Sequence, residues 1–255
     1  MKKIFFLFLF LGTFIYGDTI YDIRGSSPLL DANMSQFLDK WRTDTITPVQ
    51  SGLYQNVIVN GDTTKKNIAL TFDDAPDENN TYKLLDILDS HGVKAAFFMI
   101  GATMNDSNIS VVQRTNDAGH LVLNHSFNHP RLSDLNESAI TNQLNRAAER
   151  IETFTGHYPL LYRPPYGSIN PLVVDCANAQ GSTTLLWSLD SLDWTLKDPD
   201  AVVENVLSNI RNGDIILMHR NMISVASLAK VIDKLTENGY TFLRLDELLG
   251  IKAYR

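Results

Sequence analysis

From Asn67 to the C-terminus the chain repeats one pattern about seven times: a short apolar run, then a longer stretch with apolar residues at helical spacing. The runs IALTF (68–72), VKAAFFMIG (93–101), HLVLN (120–124), LLYR (160–163), TTLLWSL (183–189), DIILMH (214–219) and YTFLRL (240–245) read as strands. Between the first two, TYKLLDILDSHG (81–92) places Leu84, Leu85 and Leu88 on one helical face and stops at Gly92. VVQRTNDAG (111–119), ESAITNQLNRAAERIETFTG (137–156), PLVVDCANAQG (171–181), PDAVVENVLSNI (199–210) and SLAKVIDKLTENG (227–239) fill the later gaps as helices. A helix between successive strands returns the chain to the same edge of the sheet. The alternation therefore restricts the chain to a parallel α/β sheet or barrel. Ligands in such folds sit at the C-terminal ends of the strands.

Polar residues gather at those ends. IALTF runs into Asp73 and Asp74, and HLVLN into His125-Ser-Phe-Asn-His129-Pro130. LLYR opens RPPYG, with Arg163 and Tyr166; TTLLWSL opens DSLDW, with Asp190, Asp193 and Trp194; DIILM ends at His219. Two adjacent carboxylates at the end of a buried strand repel one another, and burial disfavours both charges. A cation, or a reaction needing a base, would account for them. Helix capping before Thr81 is the plain alternative, but Asp77 is available for that task. The two histidines of HSFNH lie about 13 Å apart if extended and can share a metal only if the segment turns. Pro130 and the polar residues between them favour a turn. A His, His, Asp set leaves a coordination position open for water, as catalytic sites do. One aspartate would then bind the metal while the other stays free to take a proton.

TFDDAP, HSFNHP, RPPYG, DSLDW and LMH, in that order over about 67–249, resemble the motifs of the polysaccharide deacetylase family (carbohydrate esterase family 4, the NodB homology domain). The resemblance implies a distorted (β/α) barrel of about seven parallel strands. It implies one divalent metal, zinc with cobalt or nickel as alternatives, on Asp74, His125 and His129. It makes Asp73 the catalytic base, held by Arg163, and His219 the catalytic acid, oriented by Asp193. The backbone N–H of Tyr166 would help bind the oxyanion, and Trp194 and Leu217 would line the groove near the acetyl group. The reaction expected is hydrolytic N-deacetylation of an N-acetylglucosamine-containing glycan, peptidoglycan or chitin-type, releasing acetate. O-deacetylation of a xylan-type glycan is the alternative on the same fold. A mononuclear iron enzyme and a non-catalytic glycan-binding module are the readings from other classes. Two positions depart from the family pattern. Ala75 stands where glycine is usual, and costs about 1 kcal/mol if positive φ is needed there; Arg220-Asn221 stands where an acidic residue is common.

A formal net charge of −7 offers no basic footprint for nucleic acid. Lys2 and Lys3 precede the uncharged apolar stretch Ile4 to Tyr16, then Gly17 and Asp18. That order reads as a signal peptide over 1–17, with export to the periplasm, cell envelope or exterior and no stable membrane insertion after cleavage. Ile15 spoils the small-residue rule of the cleavage site, so an uncleaved anchor is the alternative. Residues 18–66 are expected to pack on a catalytic domain spanning 67–250. Within them, Phe37, Leu38 and Trp41 form a short helical stripe, QNVIVN (55–60) a strand, and Asn60-Gly61-Asp62 a turn. The single cysteine, Cys176, excludes an internal disulfide and suits a helix face as core filler.

Overall fold

The structure, a computed structural model, describes residues 19–255. The signal-peptide reading of 1–17 falls outside the described residues. The chain opens with helix α1 (Ala32–Gln50) and strand β1 (Val57–Ile58). Strands and helices then alternate: β2 (Asn67–Ala75), α2 (Asn80–Ser90), β3 (Ala96–Met99), α3 (Ile109–Asp117), β4 (Leu121–Asn124), α4 (Glu137–Thr155), β5 (Leu161–Tyr162), α5 (Pro171–Ala179) and β6 (Thr183–Leu185). After β7 (Leu189–Asp190) come α6 (Pro199–Asn209), β8 (Ile215–His219), α7 (Met222–Glu237), β9 (Thr241–Phe242) and α8 (Leu245–Leu249). Among the described residues no helix is long and apolar enough to cross a membrane.

Every ladder is parallel, in the order β1-β6-β5-β4-β3-β2-β8-β7, with β9 added beside the start of β2. β6 lies near one end of this order and β7 at the other, yet only Leu186, Trp187 and Ser188 separate them. That link spans at most about 14 Å, so the sheet must curl until its ends approach. The result is a distorted half-barrel: the alternation implies the parallel sheet, and the family resemblance the distorted barrel.

Period-two alternation sorts β2 into two faces. Ile68, Leu70 and Phe72 face the outer helices and pack with Leu84, Leu85 and Leu88 of α2. Ala69 faces the barrel interior with Phe98, Leu123, Leu161, Ile215 and Leu217. Thr71 and Asp73 continue that inner face, which brings a carboxylate into an otherwise apolar barrel at its C-terminal end.

Several local readings change, and QNVIVN keeps only Val57 and Ile58 as strand. The helical stripe at Phe37 belongs to a helix of 19 residues. TTLLWSL is two strands, β6 and β7, because its halves pair at opposite ends of the sheet. YTFLRL keeps only Thr241 and Phe242 as strand, since β9 meets only the first two residues of β2 and the chain then enters α8. The turn placed at Asn60-Gly61-Asp62 falls at Thr63 and Thr64, where Asp62 Oδ1 accepts the Thr64 N–H, while Asn60 bridges to Asp214.

Candidate active site

In a regular strand Asp73 and Asp74 would point to opposite faces. Here the β2–β3 register slips between Phe72 and Ala75, so three residues on β2 match two on β3. Asp74 takes φ 67°, in the left-handed region. This bulge re-aims the second carboxylate, and both acids line one pocket of about 340 Å³. The positive φ sits at Asp74 and not at Ala75, so alanine meets no backbone penalty where glycine is usual in the family, and its methyl is fully buried in the core.

The two carboxylates have different company. Asp73 Oδ1 accepts a 2.7 Å ion-paired hydrogen bond from Arg163 Nη1. Arg163 is wholly buried, also donates to Thr71 Oγ1 (2.9 Å) and the Leu186 carbonyl (3.0 Å), and lies 4.1 Å from the Phe98 ring centre. Burial lowers the guanidinium pKa, and Asp73 works against that. Asp74 Oδ1 instead lies 3.1 Å from His129 Nε2 and 3.6 Å from His125 Nε2. Burial pushes its pKa up, but the hydrogen bond to His129 and the fields of His125, His219 and His129 outweigh it. They hold Asp74 well below the usual carboxylate range.

The HSFNH segment turns as its composition predicts. Ser126 and His129 both have positive φ, and the imidazole centres come to 4.9 Å. Asn124 Oδ1 accepts the Ser126 N–H, Ser126 Oγ accepts the His129 N–H, and Gln143 Oε1 from α4 accepts the Phe127 and Asn128 N–H groups. Gly101 admits the turn: a Cβ there would stand 2.9 Å from Phe127 Cδ2 and 3.0 Å from Ala147 Cα.

Asp74, His125 and His129 offer ligand atoms within 4.8 Å of one another. Tetrahedral zinc with bonds near 2.05 Å sets its ligand atoms roughly 3.3 Å apart, close to the 3.1 and 3.6 Å found here. His125 Nδ1 donates to the Arg163 carbonyl at 2.8 Å, which leaves Nε2 with its lone pair toward Asp74. Burial lowers the pKa of His125 and favours the neutral ring a metal requires. The donor set fits a divalent cation.

Across the pocket stands His219, which the β2–β8 register pairs with Asp73. Its Nδ1 meets Asp193 Oδ1 at 2.8 Å. Asp193 Oδ2 accepts from the His219 N–H (2.6 Å), Asn221 Nδ2 (3.2 Å) and Ser224 Oγ. Burial works to lower the His219 pKa. The charge and hydrogen bond of Asp193, joined by Asp73 and Asp74, overcome it and raise it to about 10. Tyr166 (φ 61°), Trp194 and Leu217 line the same pocket. The ten residues to which the resemblance gives roles therefore converge: eight line the pocket, as does Asp190, and Arg163 and Asp193 stand directly behind Asp73 and His219.

A family profile described as polysaccharide deacetylase matches residues 60–185. A peptidoglycan-N-acetylglucosamine deacetylase of Bacillus cereus is 36% identical over 196 residues, which are 75% of this chain and 71% of that protein. The chain belongs to the polysaccharide deacetylase family. A second relative, the peptidoglycan-N-acetylglucosamine deacetylase PgdA of Listeria monocytogenes, is 38% identical over 190 residues, 74% of this chain but only 40% of that longer protein. Among solved structures, the Bc1960 peptidoglycan N-acetylglucosamine deacetylase superimposes with a TM-score of 0.77 at 33% identity, covering 80% of this chain and 97% of that one. The parallel half-barrel is thus the fold of this deacetylase family.

Reading the family motifs does not reach the whole pocket. Phe37, Leu38 and Trp41 of α1, Arg131 after HSFNHP and Trp187 also line it. Their signals were an aromatic pair four apart and a cation following a ligand turn. Ser224 and Thr71, which bind Asp193 and Arg163, carried no signal. Asp77 performs the capping once weighed for Asp73 and Asp74, as its Oδ1 accepts the Asn79 and Asn80 N–H groups. Arg220 donates to the Asp74 carbonyl and to Asp77, while Asn221 caps α7 by accepting the Ser224 N–H. Asp190 accepts from the Leu192 N–H and Trp194 Nε1 and so shapes the loop. His120 accepts the Ala95 N–H in the core; His91 and His157 lie away from the pocket, against Asp233 and Tyr254.

Proposed function

We propose that the chain hydrolyses the N-acetyl group of an N-acetylglucosamine-containing glycan, peptidoglycan or chitin-type, with a divalent metal on Asp74, His125 and His129. The observation that carries this reading is the division of labour between adjacent acids: both lie near His125 Nε2, at 3.6 Å from Asp74 and 3.7 Å from Asp73, but Asp74 alone meets His129, at 3.1 Å, while Asp73 is tied through its other oxygen to the buried Arg163 at 2.7 Å. When bound, the metal supplies Lewis-acid polarisation and a more acidic water. Arg163 fixes one oxygen of Asp73, and the other accepts a proton as water adds to the acetamide carbon. The Tyr166 N–H donates to the oxyanion that develops. Asp193 holds Nδ1 of His219, so that protonated Nε2 gives its proton to the departing amine as the C–N bond breaks. Trp194 and Leu217 flank the acetyl methyl. Acetate and a free amino sugar result. The deacetylase names of the relatives support the reaction class.

His129→Ala tests the assignment. Metal affinity should fall more than about 100-fold, beyond the loss typical of an outer-shell contact, and acetate release should fall with it. Metal analysis after dialysis checks this. Stoichiometric metal retained by the His125→Ala/His129→Ala double variant would refute the ligand set.

The acid role predicts a pH profile. His219 keeps its proton below about 10, so the rate should hold through neutral pH and fall as pH rises through that value. The stabilisation linked to the raised pKa is fully present below 6.5 and is lost as pH rises through about 10. Asp193→Asn removes the charge that raises this pKa, so the alkaline limb should move to lower pH. An unmoved limb would remove His219 as the acid.

Export follows from the Lys2-Lys3 start and the apolar stretch behind it. N-terminal sequencing of envelope protein should begin near Asp18; intact Met1 on cytoplasmic protein would contradict it.

A further inference from the structure

Helix α1 lies outside residues 60–185, the part matched by the family profile, yet it forms one wall of the pocket. Its seating is firm. Leu38, Ile46 and Val49 are buried, and Trp41 stacks on Trp187 with centres 5.6 Å apart at 22°. The glycine of RPPYG makes room for it: a Cβ on Gly167 would come 2.8 Å from Trp41 Cζ2. Phe37 precedes Trp41 by four residues and so shares its helical face. It reaches the pocket but stays 58% exposed. Among the described residues the exposed Phe, Tyr and Trp side chains are Phe37, Tyr166 (52%) and Trp194 (38%), and all three line this one pocket. A flat apolar face carried on a seated helix at the mouth of the pocket matches the C–H face of a pyranose ring.

We infer that Phe37 is a sugar-stacking subsite that holds a pyranose ring of the same glycan chain beside the one being deacetylated. This rests on the deacetylase reading above and adds to it a specificity element supplied by the N-terminal helix. Its consequence is that the rate depends on glycan length, because only a chain long enough to reach α1 gains the contact.

The test compares kcat and KM for acetate release from N-acetylglucosamine oligosaccharides of increasing length. In the wild type kcat/KM should rise with length. Phe37→Ala should lose about 3- to 10-fold on long chains, mostly in KM, and less on the shortest, a size in keeping with aromatic stacking contacts. Phe37→Trp should restore the length dependence. Phe37→Leu keeps apolar bulk without a flat face and should show the Ala loss, which serves if the Ala variant folds poorly. Lys40→Ala, on an exposed position of the same helix outside the pocket, should follow the wild type. A Phe37→Ala or Phe37→Leu effect that is absent, or equal at every length, overturns the subsite while leaving the deacetylase reading in place. A wild type that releases no acetate from these oligosaccharides at any length, nor from peptidoglycan, removes both.

Discussion

Asp73→Asn is expected to lower acetate release by about 10²–10⁴-fold while the protein keeps its metal. The substitution preserves size and one carbonyl oxygen, so Arg163 Nη1 can still donate across the 2.7 Å contact. What it removes is the capacity to take a proton. Asp74→Asn acts on the other half of the pair. It weakens a ligand that lies 3.1 Å from His129 Nε2, so metal is lost and activity should return in part at high metal concentration. A base acts on the reaction step, whereas a ligand acts on site occupancy. Metal content beside deacetylation rate, measured for both variants, separates them. If Asp73→Asn loses metal and Asp74→Asn keeps it, the roles are reversed.

Arg163→Ala should be the most destabilising single change at the site, by about 3–5 kcal/mol. Arg163 is wholly buried, and its loss strands Asp73, itself nearly buried, without its hydrogen-bonded ion-pair partner. It also removes donors to Thr71 and the Leu186 carbonyl, and opens space beside Phe98. At roughly 2–4 °C per kcal/mol for a chain near this size, Tm should drop by about 6–20 °C. Arg163→Lys should keep more of the stability but not the fork that holds three acceptors at once, so turnover should still fall. Thermal unfolding of both variants checks this. An Ala variant melting with the wild type would mean that the Arg163–Asp73 pair does not support the pocket.

The parallel α/β sheet could be read from the alternation of apolar runs with helical stretches, because each helix imposes a parallel return; that it closes into a distorted barrel came with the family resemblance. The gathering of polar residues at strand ends was equally readable, since each ends an apolar run. Contacts between distant segments were not. Nothing local in LLYR says that Arg163 turns inward to Asp73, ninety residues earlier; that pairing came with the family resemblance. The positive φ found at Asp74 was weighed one residue late, at Ala75, because motif comparison marks the unusual residue and not the strained one. Phe37 and Leu38 read as one stripe, although neighbours in a helix face different ways: both reach the pocket, but Leu38 is buried against the core while Phe37 stays exposed at the mouth. The break in TTLLWSL was hidden because both halves are apolar, and only the curl of the sheet decides where the strand must stop.

The most direct measurement is acetate release by the purified protein, stripped of metal and then reloaded with zinc, cobalt or nickel, on peptidoglycan, chitooligosaccharides and acetylxylan. The account predicts release from an N-acetylated glycan that disappears on stripping and returns on reloading. Release from acetylxylan alone would move the chemistry to ester bonds. Glycan binding without acetate release under any metal would contradict the catalytic reading outright.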